Sequence, residues 1–104
     1  DYLKAWNDHD ADAIAAWVTE DVEFEDVGLG HRLHGRAAVH ASALEMFPQM
    51  GDMRIDFVGG SEFGDSYYYE WIMQPMAARG VSVGQRRDGL VTHNRDYWCM
   101  PPQH

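Results

Sequence analysis

A chain of 104 residues fits one domain with one core, burying roughly 60–70% of its unfolded surface. Its formal net charge of −9 argues against nucleic-acid partners and anionic membranes, both of which would repel it. The single cysteine, Cys99, excludes an internal disulfide and a cysteine-cluster zinc site, and fits a reducing cytoplasm. No apolar run is long enough to span a bilayer. No signal peptide is visible, although the chain starts at Asp1 rather than Met. Four Trp and five Tyr make it rich in side chains with an apolar body and a polar tip, which suit a ligand pocket as well as a core.

The chain opens with a short helical pattern over Tyr2–Asn7, interrupted at Asn7-Asp8-His9-Asp10. Asp10 is a good N-cap for a second helix, Ala11 to Val18, with Ala13, Ile14, Trp17 and Val18 at core-facing spacing. Val22 to Asp26 reads as a short strand. Asp26 shares the parity of Val22 and Phe24, so it either lines a pocket or caps the following turn. Val27 to Gly35 reads as a loop containing His31 and His34. That pair lacks further ligands at a recognisable spacing, so no metal is expected. A third helix is expected from Ala37 to Met46, burying Val39, Ala43, Leu44 and Phe47 and stopped by Pro48.

Strands follow. Met53 to Gly59 alternates, and Gly59-Gly60 and Gly64-Asp65 read as turns. Ser66 to Gln74 has apolar residues on both parities and reads as a central strand. Val81 to Arg86 leads into Asp88-Gly89, a pair suited to the positive φ of a tight hairpin turn. On the strand after it, Thr92, Asn94, Asp96 and Trp98 share one face, and Val91, His93, Arg95, Tyr97 and Cys99 the other. The first set fits the wall of a polar pocket. Asp96 could instead be a surface acid paired with Arg95 or Arg87. The tail from Pro101 to His104 is expected to fray. Helices first and strands after imply an α+β fold with the helices on one sheet face, leaving a half-apolar outer face suited to a homodimer.

Four groups of residues carry a resemblance across essentially the whole chain. They are Tyr2-Leu3-Lys4-Ala5-Trp6-Asn7 with Asp10–Ile14; Asp21–Asp26; His34–Val39; and Arg87–Val91 with Arg95-Asp96-Tyr97-Trp98. In this order they resemble the SnoaL-like polyketide cyclase group of the NTF2-like superfamily, which is also similar to ketosteroid isomerases. The resemblance implies an α+β cone over residues 1–104: three N-terminal helices packed on a curved, mainly antiparallel sheet enclosing a pocket. It implies cofactor-independent acid–base chemistry on a small hydrophobic carbonyl compound, polyketide- or steroid-like, with no metal.

By the same resemblance, Asp96 stands where the cyclases have their general acid/base. Asp26 stands where the isomerases have their base, and Tyr2 where they have a tyrosine oxyanion donor. Asn94 and Tyr69 are further candidate donors, and Trp98, Trp71, Trp6, Trp17 and Phe24 candidate lining residues. The pattern also departs from these families. Val83 falls where the isomerases carry a second acid, Ser82 where the cyclases carry a helper His, and Cys99 where an acid often follows the Tyr-Trp pair. The Pro75–Gly80 connection is shorter than the family's, so the strand at Val81 reads as clipped. Proton removal next to a carbonyl needs a carboxylate made basic by burial and a donor for the enolate oxygen. The alternative is the same fold as a non-catalytic binder of a small ligand. No Asp-Arg-Asp spacing of an epoxide hydrolase is present.

Overall fold

The computed structural model describes residues 1–102. Residues 103 and 104, part of the tail expected to fray, lie outside the described residues. Two short helices open the chain, each started by an aspartate. The Asp1 side chain accepts from the Lys4 N–H of α1 (Tyr2–Asn7), and the Asp10 side chain from the Ala13 N–H of α2 (Ala11–Ala16). The second helix stops short of Val18. Trp17 is its C-cap, and the β-branched Val18 and Thr19 instead begin β1 (Val18–Asp26), which is longer than the expected strand.

The expected loop after β1 contains a strand, β2 (His31–His34), antiparallel to β1 with Leu33 opposite Phe24. Its signal is weak because His31, Arg32 and His34 are all exposed, leaving no apolar alternation to read. Helix α3 (Arg36–Met50) runs through Pro48, which was expected to stop it. A proline so near the end costs few helix bonds, and Phe47 and Met50 on either side of it pack against the core. The buried stripe is Val39, Ala43 and Phe47; Leu44, expected among them, is 56% exposed.

Four antiparallel strands complete the sheet: β3 (Arg54–Phe63), β4 (Ser66–Gln74), β5 (Ala78–Arg87) and β6 (Leu90–Cys99). The order is β2-β1-β6-β5-β4-β3, with β1 parallel to β6. Asp88 (φ 54°) and Gly89 (φ 81°) make the expected tight turn. Gly59 and Gly60 do not turn the chain. Val58 is an extra residue between the pairs Phe57–Trp71 and Gly59–Glu70, so β3 bulges and continues. Nor is β5 clipped, since it begins at Ala78.

A second bulge decides what β6 presents. Gln85 faces His93 and Arg86 faces Val91, which leaves Thr92 as the extra residue. The strand's parity flips there. Val91, expected opposite Asn94 and Asp96, is instead fully buried in the same core. The three helices cover the inner face through Ala5, Ala11, Ile14, Val39, Ala43 and Phe47. Helix α1 also reaches the far edge of the sheet: the Asn7 amide donates to the Ile55 carbonyl (2.9 Å) and accepts from the Ile55 N–H (2.6 Å). Among the described residues no helix is long and apolar enough to cross a membrane.

Candidate functional site

The inner face can be read as rows across the strands. One row runs Asp26, Asp96, Ser82, Tyr69 across β1, β6, β5 and β4. On one side lies the row Phe24, Asn94, Gly84, Tyr67, and on the other Trp98, Gly80, Trp71. The middle row is held by a chain of hydrogen bonds that ends on one atom. Ser82 Oγ donates to Asp96 Oδ1 at 2.6 Å and Asn94 Nδ2 donates to the same oxygen at 2.8 Å. Behind them, Trp71 Nε1 donates to Ser82 Oγ (2.9 Å) and the Tyr67 hydroxyl donates to Asn94 Oδ1 (2.6 Å). No donor among the described residues reaches Asp96 Oδ2.

Burial pushes the Asp96 carboxyl up to about 6 from the usual 3.8. The hydrogen bonds from Ser82 and Asn94 work against this shift, and the neighbouring Asp26 adds to it. Asp96 pairs with neither Arg95 nor Arg87: Arg95 lies over Tyr97 and Arg87 approaches Asp21. Asp26 takes the turn-capping role open to it in the sequence and also stands beside Asp96 in the middle row. Its Oδ1 caps the turn by accepting from the Leu29 N–H (3.0 Å), and it accepts from Trp98 Nε1 (2.7 Å) beside Asp96.

Glycines make room for this network. A Cβ on Gly80 would lie 2.4 Å from the Trp71 ring, and one on Gly84 would lie 2.5 Å from the Tyr67 hydroxyl. Both rings therefore lie across β5 because Gly80 and Gly84 flank Ser82. Ser82 and Tyr67 were not among the candidate site residues. The signal for them was Gly80-x-Ser82-x-Gly84 itself, two positions without side chains around one short donor. The same letters mark a serine nucleophile when they form a strand-to-helix turn. Here they lie in mid-strand, and Ser82 donates to a carboxylate.

Tyr2, at the start of α1, brings its hydroxyl into the interior. That hydroxyl is buried and has no hydrogen-bond partner among the described residues. Burial raises its pKa well above the ordinary value, and the charge on Asp96 raises it further, so it stays a donor. Trp6 packs against Tyr2, Phe24 and Phe47 with ring centroids 5.8–6.3 Å apart. The other candidates are elsewhere or already engaged. The Trp98 indole N–H is spent on Asp26. The Tyr69 hydroxyl is engaged by Glu62 and Arg86. Trp17 is not brought to the site: its carbonyl accepts from Val91, five residues and roughly 17 Å of strand from Asp96.

Two concavities open on the outer side of the sheet. One, of about 560 Å³, includes Glu23, Glu25, Arg32 and His93; the other, of about 580 Å³, includes Tyr68, Glu70, Arg79 and Tyr97. Neither includes Asp96, Asp26 or Tyr2, so neither is the cone-shaped pocket expected at these residues. Among the described residues no three His, Cys, Asp or Glu side chains gather as a metal site. His34 pairs with Glu23, and His31 is exposed.

Residues 1–94 match the family model of the SnoaL-like domain. The chain belongs to the SnoaL-like family. Among curated proteins no sequence matches it. Solved structures similar to this SnoaL-like chain include a proposed ketosteroid isomerase of Kribbella flavida, 25% identical, covering 99% of this chain and 76% of that one at a TM-score of 0.80. A Catenulispora acidiphila protein with a ketosteroid isomerase-like fold, in complex with trimethylamine, is 16% identical at a TM-score of 0.85, covering 92% and 80%. A proposed polyketide cyclase of Sinorhizobium meliloti is 16% identical at a TM-score of 0.80, covering 92% and 89%. These likenesses establish an α+β, NTF2-like fold. Ser82, which the sequence resemblance sets where the cyclases carry a helper His, faces inward onto Asp96. Val83, which the same resemblance sets at the isomerases' second acid, is next on the strand and lines the outer concavity of about 560 Å³.

Proposed function

We propose that this SnoaL-like protein carries out cofactor-independent acid–base chemistry of the cyclase or isomerase type on a small hydrophobic carbonyl compound, polyketide- or steroid-like. One observation carries the reading. Asp96 is fixed through Oδ1 by Ser82 and Asn94, while Oδ2 has no donor and the unpartnered Tyr2 hydroxyl shares the interior. In this scheme Asp96 Oδ2 takes the proton from a carbon next to the carbonyl. The C–H electron pair moves into the enolate, whose oxygen accepts a hydrogen bond from Tyr2. Asp96 then returns the proton to another carbon, which completes an isomerisation. In a cyclisation the enolate carbon attacks a second carbonyl, and the new alkoxide takes the proton. A carboxyl near pKa 6 is ionised at neutral pH yet more basic than a solvated aspartate. Asp26 is the fixed second acid beside it.

The test follows α-proton exchange of 2-tetralone and of 5-androstene-3,17-dione in D2O by proton NMR. The wild type is expected to accelerate exchange, with a pH profile rising through about 6. Asp96→Asn is expected to lose about 100-fold or more. Equal exchange by that variant would remove Asp96 from the chemistry. A non-catalytic binding module is the second reading, supported by the Tyr2 hydroxyl's closure from solvent and by the trimethylamine complex of a fold relative. Ligand binding without accelerated exchange would favour it. A homodimer through the outer face is supported by the exposed Tyr68 and Tyr97 there; a monomer mass in light scattering would overturn it.

A further inference from the structure

We propose that Arg86 recognises a carboxylate on the substrate, at the opposite end of an aromatic or polycyclic carbonyl compound from the carbon that meets Asp96. The inference rests on the acid–base reading of the site and adds a substrate class to it. Of the eight Lys and Arg residues, six are exposed: Lys4, Arg32, Arg54, Arg79, Arg87 and Arg95. Arg36 spends two nitrogens on the Val18 carbonyl. Arg86 is left as the cation laid over the aromatic residues of the inner face. Its guanidinium lies 4.7 Å from the Tyr67 ring centroid and 5.7 Å from that of Tyr69.

The cation is positioned by parts of the fold that are independent of any ligand. Two rings carry it, and Nη2 donates to the Tyr69 hydroxyl at 3.1 Å. Nε is buried with no partner among the described residues, so the guanidinium is not fully satisfied. Its counter-ion is Glu62, bonded to Nη1, and the Glu62 side chain is 53% exposed. The same Glu62 oxygen accepts from the Tyr69 hydroxyl, and its half-exposed carboxylate is screened by water. A ligand carboxylate can replace it, and Glu62 can turn into solvent. Beside this pair Phe57, 55% exposed, stands edge-on to Tyr69 at 6.0 Å, giving an aromatic surface next to the cation. Arg86 lies four residues along β5 from Ser82, the residue that holds Asp96. The separation is roughly 13 Å along the strand, so two or three fused rings would bridge the two groups.

The carboxylate is the specific element, because Arg86 is the cation that lies over the aromatic residues of the inner face. The test compares 6-acetyl-2-naphthoate with its methyl ester by equilibrium dialysis. The wild type is expected to bind the acid about tenfold more tightly than the ester, as a charge-assisted hydrogen bond allows. Arg86→Gln is expected to abolish that preference, so that acid and ester bind alike. Glu62→Gln removes the competitor and is expected to tighten acid binding alone, an effect that loss of structure could not produce. Equal binding of acid and ester by the wild type overturns the proposal and leaves the acid–base reading standing. So does a preference that survives Arg86→Gln, or acid binding unchanged by Glu62→Gln even where Arg86→Gln fails to fold. Binding of neither compound overturns it together with the reading of the interior as a ligand site.

Discussion

Asp96 and Glu25 are near neighbours on adjoining strands, yet they face opposite sides of the sheet and are treated in opposite ways. On the outside, Glu25 meets Arg32 at 3.4 Å and Glu23 meets His34, in pairs that are largely open to water. On the inside, Asp96 meets only the neutral donors Ser82 and Asn94, and burial lifts it to about 6. Charge is answered by charge at Glu25 and by dipoles at Asp96. Neutral donors fix a carboxylate's position without removing the cost of ionising it, and a group held so can still accept and release a proton. An arginine at Ser82 would have fixed Asp96 as firmly and left it a weaker base.

The largest effect should come from Asp96 itself. Its folded-state pKa is raised, so the folded chain keeps a proton that the unfolded chain releases above about pH 4. Stability from this group is therefore full at low pH and falls as the pH rises through about 6. The shift corresponds to about 3 kcal/mol. Asp96→Asn is expected to gain much of that at pH 8 and little at pH 4 in urea melts. A variant no more stable than the wild type at pH 8 would mean that the inner carboxylate is compensated after all, and the contrast between faces would collapse.

A smaller loss is expected at the floor of the inner network. Gly80→Ala puts a Cβ into the Trp71 ring, which must leave its place and give up Ser82. A cost of about 1–3 kcal/mol in chemical denaturation is expected. A neutral result would show that the ring is not held where the Asp96 network requires it. The smallest effect belongs to the outer face. The Arg32 side chain is 81% exposed, and Arg32→Ala is expected to change stability by less than about 0.5 kcal/mol. A larger loss would mean that outer ion pairs matter as much as inner dipoles.

Much of this contrast was legible in the chain. The parity of Asn94, Asp96 and Trp98 placed them on one face, and the Asp88-Gly89 turn set where that strand began. Parity failed at Val91 because Thr92 bulges, and a bulge depends on the partner strand, which local pattern does not reveal. The same cause hid the continuation of β3 past Gly59. Strand β2 was hidden because its partner, not its own composition, makes it a strand. Pro48 misled because packing of Phe47 and Met50 outweighs a local helix penalty near the helix end. Ser82 stood out as a departure from a family pattern and as a short donor between Gly80 and Gly84. Its role depends on Trp71 lying across Gly80, a contact between strands that no single segment encodes.

Asn7 gives one residue of the sheet edge what another strand would supply, both a donor and an acceptor for Ile55. It also ends a helix of six residues, about 9 Å long, whose other end carries Tyr2. The helix is thus a rigid strut clamped to the outermost strand, and the position of the Tyr2 hydroxyl is set from there. A disturbance at the rim of β3 would reach Tyr2 by leverage, without passing through any residue of the Asp96 network.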